Sequence, residues 1–291
     1  SVELMRVIFL LGFFGFGMKA AIFPFYKWLP TASCAPTPVT ALLHAVAVVN
    51  TGVFAVIRLT WYAFGPELLY GSWAQIVCII VADFTLLYAA VLAVRERHVK
   101  RRLAYSTVSN LSYMIFGIML LTPEGFLGGL SHLIFHSLTK ITLFMCIGSF
   151  MHHTGKEYIS DINGVGKHMP WTFACYTISA LSLLGVPALC GFISKWYLLI
   201  AGADAATPAS YIGLAALLIS AFLCAIYGLS ISIRAFFPVP GTDRYAGMKR
   251  SKEGGFLMLF PICCFTALEI FFGLFSNPLL YYLEKIAEGL L

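Results

Sequence analysis

Long apolar runs separated by short polar loops constrain the fold of this chain more than any other feature. Crossing the hydrocarbon core of a bilayer takes about 20 residues of helix. A backbone in lipid must also satisfy its hydrogen bonds within each helix. With 60% hydrophobic and only 11% charged residues, a soluble globular domain is excluded. We therefore predict an all-α fold, a polytopic transmembrane helix bundle of about eight spans, at roughly 4–29, 38–63, 72–94, 103–121, 127–151, 171–200, 209–237 and 255–276.

The loops between these runs differ in charge. RERHVKRR (95–102) and GTDRYAGMKRSKEG (241–254) are basic, whereas GPELLYG, TPEG and GADAATP carry acids and neither Lys nor Arg. Because basic loops stay on the cytoplasmic side, these two loops and the segment 152–170, with Lys156 and Lys167, are predicted to lie inside, and Ser1 and the C-terminal LEKIAEGLL outside. The net charge of +6 is therefore not read as a sign of a nucleic-acid partner. The start, SVELMRVIFLLGFF, lacks the features of a signal peptide, and we expect further helices upstream.

Ionisable side chains inside the predicted spans are the second feature. A charge near the bilayer centre costs about 2.5–3.5 kcal/mol on insertion scales, so each such side chain is a functional hypothesis. The cysteines, by contrast, show no metal-ligand spacing and are predicted to be small core residues. We expect neither a metal site nor a cofactor. The ionisable residues in the spans are Lys19, His44, Asp83, His132, His136, Lys140, Lys195 and Glu269.

His132, His136 and Lys140, in SHLIFHSLTK, are spaced four residues apart. Such residues drift about 40° around a helix and rise about 6 Å per step, so the three form a ladder on one face. Histidine exchanges protons near neutral pH, and a row of such groups suits proton hopping. The alternative is a structural role in hydrogen bonding between helices. Haem ligation by the two histidines is disfavoured, because axial ligands approach iron from opposite sides.

Two prolines lie inside predicted spans, Pro24 in the first and Pro187 in the sixth. Proline removes a backbone hydrogen bond, and membrane helices tolerate it chiefly where the freed carbonyls line a wet cavity or find partners. Lys19 precedes the first break, where we expect it to be buried, and Lys195 follows the second. In the predicted topology these broken helices run in opposite directions, as in an inverted-repeat transporter.

Four stretches carry a family resemblance: KAAIFPFYKWLPTASCAPTPVTALLHA (19–45), RRLAYSTVSNLSYM (101–114), HLIFHSLTKITLFMCIGS (132–149) and GVPALCGFISKW (185–196). Together they resemble the proton-translocating antiporter-like membrane subunits shared by respiratory complex I, multisubunit cation/proton antiporters and membrane-bound hydrogenases. That family is built from two inverted five-helix units. The resemblance implies that 1–63 is the end of the first repeat (two spans), 64–237 the second repeat (five spans), and 238–291 a cytoplasmic loop and last span.

The resemblance also implies roles for individual residues. It makes Lys19 the gating lysine of a first half-channel and Lys195 the terminal lysine through which protons reach the outer face. Many relatives carry a lysine where this chain has Asn50, so His44 is expected to carry more of the relay. The glutamate that pairs with the Lys19 position is expected upstream, so this chain alone is not expected to pump. The implied proton relay is Lys19, His44, His132, His136, Lys140 and Lys195.

The function implied by the resemblance is that of a membrane subunit that translocates protons, or exchanges Na⁺ for H⁺. Its partners would be other membrane subunits of an antiporter, hydrogenase or complex I-type oxidoreductase in a bacterial or archaeal inner membrane, with no catalytic chemistry of its own. SKWY (194–197) favours the antiporter or hydrogenase branch. Two alternatives stay open: a quinone- or haem-binding membrane anchor of a redox complex, and a structural scaffold.

Overall fold

A computed structural model describes residues 1–245 and 253–289 as helices joined by loops, with no β-strand in either range. The all-α prediction is confirmed. Residues 246–252 of the predicted basic loop, and residues 290–291, lie outside the described residues. In chain order the helices are α1 (Val2–Gly17), α2 (Trp28–Ala32), α3 (Thr37–Ala45), α4 (Val48–Ile57), α5 (Pro66–Leu69), α6 (Trp73–Arg95), α7 (Val99–Met119), α8 (Pro123–Thr154), α9 (Pro170–Leu184), α10 (Cys190–Asp204), α11 (Pro208–Phe236), α12 (Phe256–Leu274) and α13 (Asn277–Glu288).

Five helical stretches in the described ranges are long and apolar enough to cross a membrane: Thr37–Phe64, Trp73–Arg95, Pro123–Thr154, Pro208–Phe236 and Phe256–Leu274. The other three predicted spans are also helical but fall short of that measure. α1 has 16 residues, and the predicted span 171–200 is divided between α9 and α10. α7 is long enough but carries many polar residues. The count of about eight spans therefore stays a prediction.

α7 is the most enclosed helix of the bundle. Almost every residue from Leu103 to Met119 is buried, with α6, α8 and α11 packed around it. Its hydroxyl and amide side chains would be costly in lipid, so they face other helices. The outer faces of α6, α11 and α12 instead expose apolar side chains such as Ile80, Phe222 and Phe271. The bundle thus holds its buried polar side chains among apolar core residues, and its outer surface is apolar.

Local capping sets the ends of the long helices. Thr122 accepts a hydrogen bond from the Gly125 N–H, and Pro123 occupies the first turn of α8, where its missing N–H costs nothing. α8 ends at Gly155, whose φ of +65° is the left-handed conformation that glycine adopts easily.

The two helix interruptions differ in extent. α1 ends at Gly17, and turns follow up to a short 3₁₀ segment at Phe25–Lys27. Because a proline ring clashes with the carbonyl four residues before it, Pro24 is incompatible with a helix that continues through Ala20. The second interruption is only residues 185–189, between α9 and α10, and it includes Pro187.

Loops that the sequence predicts to share the cytoplasmic side meet at one end of the bundle. The Ile159 N–H donates to the Arg97 carbonyl at 3.0 Å, which joins the loop before α7 to the loop after α8. Arg244 forms an ion pair with Asp161. The Tyr245 hydroxyl donates to the Asp161 carbonyl at 3.0 Å, and burial raises the pKa of Tyr245. The described part of the third loop therefore lies at the same end.

Candidate functional site

The ladder of His132, His136 and Lys140 lies on the inner side of α8, and all three side chains are buried. α7 and α10 pack against this helix. The four-residue spacing therefore does place the three groups inside the protein and away from lipid. The environment differs at each rung.

His132 is held at both ring nitrogens. Its Nδ1 lies 2.9 Å from the Ser194 Oγ of α10, and its Nε2 lies 3.2 Å from the Asn110 Oδ1 of α7. The Asn110 amide group donates to the Ser106 carbonyl, so its oxygen faces the histidine, and Nε2 is assigned the proton. Both ring nitrogens of His132 are thus engaged by side chains of neighbouring helices.

His136 lies one turn further along α8, with its ring centroid 6.0 Å from that of His132. Neither of its ring nitrogens has a hydrogen-bond partner among the described residues. Buried polar groups are almost always hydrogen-bonded, and those without a protein partner are where internal water binds. His136 is therefore the residue of the ladder for which the described chain supplies no hydrogen-bond partner.

Lys140 forms the third rung. Its Nζ donates to the Ser106 Oγ at 2.7 Å and to the Leu103 carbonyl at 3.1 Å. The Ser106 hydroxyl in turn lies 3.1 Å from the Tyr227 hydroxyl of α11. The ion pairs found in the described ranges involve neither Lys140 nor Lys195. The groups that accept hydrogen bonds from the ammonium group are thus uncharged.

Lys195 reaches back from α10 across the second interruption. Its Nζ donates to the carbonyls of Leu183 and Leu184 at 2.6 and 3.1 Å, and it lies 5.0 Å from the centre of the Tyr113 ring. Carbonyls in the last turn of a helix have no partner within the helix, so the end of α9 supplies acceptors for the lysine. The adjacent Ser194 contacts His132, which brings Lys195 next to the ladder.

His44 and Asn50 connect the preceding helices to α8. The Asn50 amide donates to the Ser137 Oγ at 2.6 Å and to the Ala45 carbonyl at 2.8 Å. The buried His44 ring lies 5.0 Å from the Phe144 ring, and its Nε2 lies 3.2 Å from the Ser33 Oγ. The direct hydrogen bond from α4 to the ladder helix is therefore made by Asn50, which the sequence marked only as a position without charge.

The prediction that Lys19 is buried is wrong for the described chain. Lys19 lies in the turns after α1, and its side chain is exposed. Only its backbone is packed, against Gly52, where a Cβ would lie 2.6 Å from the Lys19 carbonyl carbon and 2.5 Å from the Ala20 nitrogen. Because α1 ends two residues earlier, the Lys19 side chain extends from a turn whose backbone, and not the side chain itself, packs on α4.

Several contacts could not be predicted from the sequence. Ser106 and Asn110 share the four-residue spacing of the ladder, but that spacing does not reveal that they face it. Thr107 bonds to its own helix, and Ser109 to Leu86 and Ser220, so these two stabilise helices.

Asp83 and Glu269 are buried. The prediction that the cysteines are core residues holds for five of them and is wrong for Cys34, Cys263 and Cys264, which are exposed. No cluster in the described ranges could hold a metal ion.

Buried bases, a broken helix and an apolar exterior together define a class, that of polytopic membrane proteins with an ionisable interior. The chain belongs to the family described as "NADH:quinone oxidoreductase/Mrp antiporter, TM", which matches residues 1–238. The resemblance noted in the sequence is thereby confirmed.

Three curated relatives illustrate the range of this family. The chain is 30% identical over 294 residues to NADH-quinone oxidoreductase subunit N of Desulforudis audaxviator, covering 96% of this chain and 56% of the relative. It is 29% identical over 290 residues to a Na(+)/H(+) antiporter subunit of Alkalihalophilus pseudofirmus, covering 100% and 56%. It is 35% identical over 209 residues to Hydrogenase-4 component B of Escherichia coli K12, covering 68% and 31%. The chain thus spans about half the length of the first two.

Solved structures agree on the fold. The Mrp complex from Dietzia sp. DQ12-45-1b contains a chain that superposes with a TM-score of 0.86 at 23% identity, covering 98% of this chain and 59% of that one. Respiratory complex I from Thermus thermophilus contains one with a TM-score of 0.83 at 25% identity, covering 97% and 58%. Both neighbours are subunits of multisubunit membrane complexes.

Proposed function

We propose that this chain is the proton-translocating part of a membrane subunit in a multisubunit antiporter, hydrogenase or complex I-type oxidoreductase. The observation that carries the proposal is the buried ladder on α8, which connects through Ser194 to Lys195 at the broken helix. Ionisable groups without counterions are costly inside a membrane. A change of charge along this row is the function that accounts for that cost.

The relay runs from Lys19 and His44, near the first interruption, through the ladder on α8 to Lys195 at the second interruption. Asn50 and Ser137 bring the first interruption, whose backbone packs on Gly52, next to the ladder. His136 exchanges protons with its neighbours through water. His132 passes charge towards Lys195 by way of the Ser194 hydroxyl. A proton arriving at one lysine raises the electrostatic cost of a proton on the next, and this repulsion drives the charge onward.

The topology proposed for this function has eight spans. α1 with α2, and α9 with α10, form the two broken helices of opposite direction, in the first (1–63) and second (64–237) inverted repeats. The meeting of the basic loops at one end of the bundle supports a common cytoplasmic side for them, with Ser1 outside. Residues 238–291 complete the unit as a cytoplasmic loop and a last span.

The proposed ions and partners follow from the relatives. H⁺ is the ion that a Lys/His row carries, and exchange for Na⁺ is included because one relative is named as part of a Na(+)/H(+) antiporter. The partners are other membrane subunits in a bacterial or archaeal inner membrane. The solved neighbours support such partners, because both are chains of multisubunit membrane complexes.

Replacement of the buried lysines tests the proposal. The complete protein is reconstituted with its partner subunits in vesicles, and proton movement is followed with a pH-sensitive dye in Lys140→Ala and Lys195→Ala. We expect each variant to lose about 100-fold in rate, the scale of a lost proton-transfer group. Repeating the measurement with and without Na⁺ separates H⁺ transport from exchange.

Lys285→Ala is the matched control, since it removes an exposed lysine of α13 and should leave the rate unchanged. Assembly is checked by size-exclusion chromatography of each complex. Wild-type rates in both buried-lysine variants would refute the proposed relay. Normal rates combined with impaired assembly would instead favour the structural scaffold.

A further inference from the structure

Glu269 of α12 is a carboxyl group outside the proposed relay. Its side chain is 0% exposed, and α12 packs against α8, α9 and α10. Its Oε1 accepts hydrogen bonds from the Thr142 Oγ1 of α8 at 2.7 Å and the Ser179 Oγ of α9 at 2.8 Å. Its Oε2 is buried with no hydrogen-bond partner among the described residues. Half of the carboxyl group is thus solvated by hydroxyls and half is not.

The charge of Glu269 has no partner in the described ranges. The ionisable groups that interact electrostatically with it include three thiols, Cys146 of α8, Cys175 of α9 and Cys190 of α10. The ion pairs formed in the described part of the chain do not involve Glu269. An ionised carboxylate buried without a counterion is so costly that the group neutralises instead. Glu269 therefore holds either a proton or a metal cation.

The ligands around Glu269 favour the proton. A hard cation such as Na⁺ is coordinated by several oxygen atoms, and thiols suit softer metals. Among the described residues, the side-chain oxygens bonded to the carboxyl group are the hydroxyls of Thr142 and Ser179, and its other neighbours include the three thiols. The surroundings of Glu269 therefore suit a carboxyl group that binds a proton, and they do not suit one that binds a metal cation.

The same hydroxyls can stabilise the ionised form for a limited time. The Thr142 Oγ1 also lies 3.1 Å from the Leu138 carbonyl of its own helix. With a single hydrogen, this hydroxyl donates to Leu138 when the acid is neutral and to Glu269 when the proton has left. Loss of the proton thus leaves a carboxylate that accepts two hydroxyl donors, which makes release reversible.

Glu269 lies close to the second helix interruption. One turn further along α12, Gly273 packs directly on it, where a Cβ would lie 2.3 Å from the Ala188 carbonyl oxygen. A second pair of hydroxyls lies three residues away on the same two helices, α8 and α9: Thr139 and Ser182 are 3.4 Å apart, and Ser182 accepts from the Gly191 N–H of α10, just beyond the interruption. Thr139 is the neighbour of Lys140 in the sequence.

We infer that Glu269 is a second proton-binding site at the broken helix, which takes up and releases a proton through the Thr142, Thr139 and Ser182 hydroxyls, separately from the contacts that hold Lys195. This inference rests on the proposed function, since it adds a site to the same transport. No bond other than O–H is formed or broken: the proton leaves as H⁺ and the carboxylate stays on Glu269.

The test compares Glu269→Gln and Glu269→Asp in the complete protein with its partner subunits. Glutamine keeps the shape and can accept the same hydrogen bonds, but it cannot take up a proton. We expect Glu269→Gln to assemble normally and to transport protons at about one tenth of the wild-type rate or less, with Glu269→Asp closer to wild type. In infrared spectra of the reconstituted complex, the carbonyl band of a protonated carboxylic acid should be lost in Glu269→Gln.

Thr266→Val is the matched control, because Thr266 is buried one turn away on α12 and its hydroxyl donates to the Ile262 carbonyl of the same helix. It should leave both the rate and the band unchanged. A wild-type rate in Glu269→Gln would overturn the inference and leave a purely structural carboxyl group. If Glu269→Gln lost proton transport but kept the infrared carbonyl band, and if its transport depended differently on Na⁺, the inference would also be overturned. Glu269 would then be a Na⁺ ligand. Normal transport in Lys140→Ala and Lys195→Ala would instead reject the relay, so the two failures are distinguishable.

Discussion

Lys19 and Lys195 each lie beside an interruption in a helix, yet their surroundings are opposite. Lys195 is buried, bonded to the carbonyls of Leu183 and Leu184 and placed over Tyr113. Lys19 is exposed, and only its backbone is packed, on Gly52. The comparison shows that a proline and a lysine do not make a site by themselves. The lysine must lie on the helix after the interruption, from which it reaches back to the free carbonyls.

The two interruptions also differ in how tightly their backbones are packed. At the second, Gly191 of α10 contacts α9 so closely that a Cβ would lie 1.9 Å from the Ser182 carbonyl oxygen. At the first, the corresponding contact is Gly52 against the Ala20 nitrogen, at 2.5 Å. Two packed helices cannot separate easily, whereas the turn that carries Lys19 has an exposed side. The second interruption is therefore the more tightly packed.

The largest expected effect comes from adding a methyl group at these glycines. We expect Gly191→Ala to lower the free energy of unfolding by about 3 kcal/mol and Gly52→Ala by about 1 kcal/mol, the two ends of the overpacking range. Thermal unfolding of the solubilised protein, followed by size-exclusion chromatography, measures the difference. Gly15→Ala, with nothing within 4 Å of its Cβ, is the control and should be neutral. Equal losses at the two interruptions would show that both are packed alike.

Sequence periodicity predicts some of these features and not others. The four-residue spacing was enough to place His132 and Lys140 together inside α8, because that geometry is local to one helix. It could not predict that Ser194 and Asn110 bind His132, since pairing between helices depends on tertiary packing. The burial of Lys19 was predicted wrongly for the same reason: position within an apolar run does not reveal what covers a side chain. Glu269 was visible as a buried acid, but its hydroxyl partners were not.

Replacing each lysine by arginine separates packing from protonation at the two sites. Lys195 fills a closed space, in which even a Cβ on Gly185 would lie 3.1 Å from its Cδ, so the larger guanidinium should cost about 2 kcal/mol of stability. The exposed Lys19 should tolerate arginine within about 0.5 kcal/mol. Proton transport should fall in both variants, because arginine does not release its proton. The same unfolding assay and the vesicle assay measure the two quantities.

Lys27→Arg serves as the control for exposed lysines near the first interruption. If Lys195→Arg were as stable as the wild type, the space around the Lys195 side chain would be large enough for a guanidinium group, and the inferred closed packing would be wrong. Undiminished transport in Lys19→Arg would remove Lys19 from the proton relay but leave the second interruption as proposed.

The smallest effect is expected from the single hydroxyls that contact His132, near the second interruption, and His44, near the first. Ser194 contacts His132 at 2.9 Å, next to Lys195, and Ser33 contacts His44 at 3.2 Å. Removing one hydrogen bond costs about 1 kcal/mol, or about fivefold in a rate that depends on it. We expect Ser194→Ala to slow proton transport by about that factor and Ser33→Ala to slow it less, because the connection from α4 to α8 is made by Asn50. Ser112→Ala, whose hydroxyl donates to the Val108 carbonyl of its own helix, is the control in the same vesicle assay. A larger loss in Ser33→Ala than in Ser194→Ala would reverse the comparison, since it would make His44 the limiting step and the first interruption the controlling one.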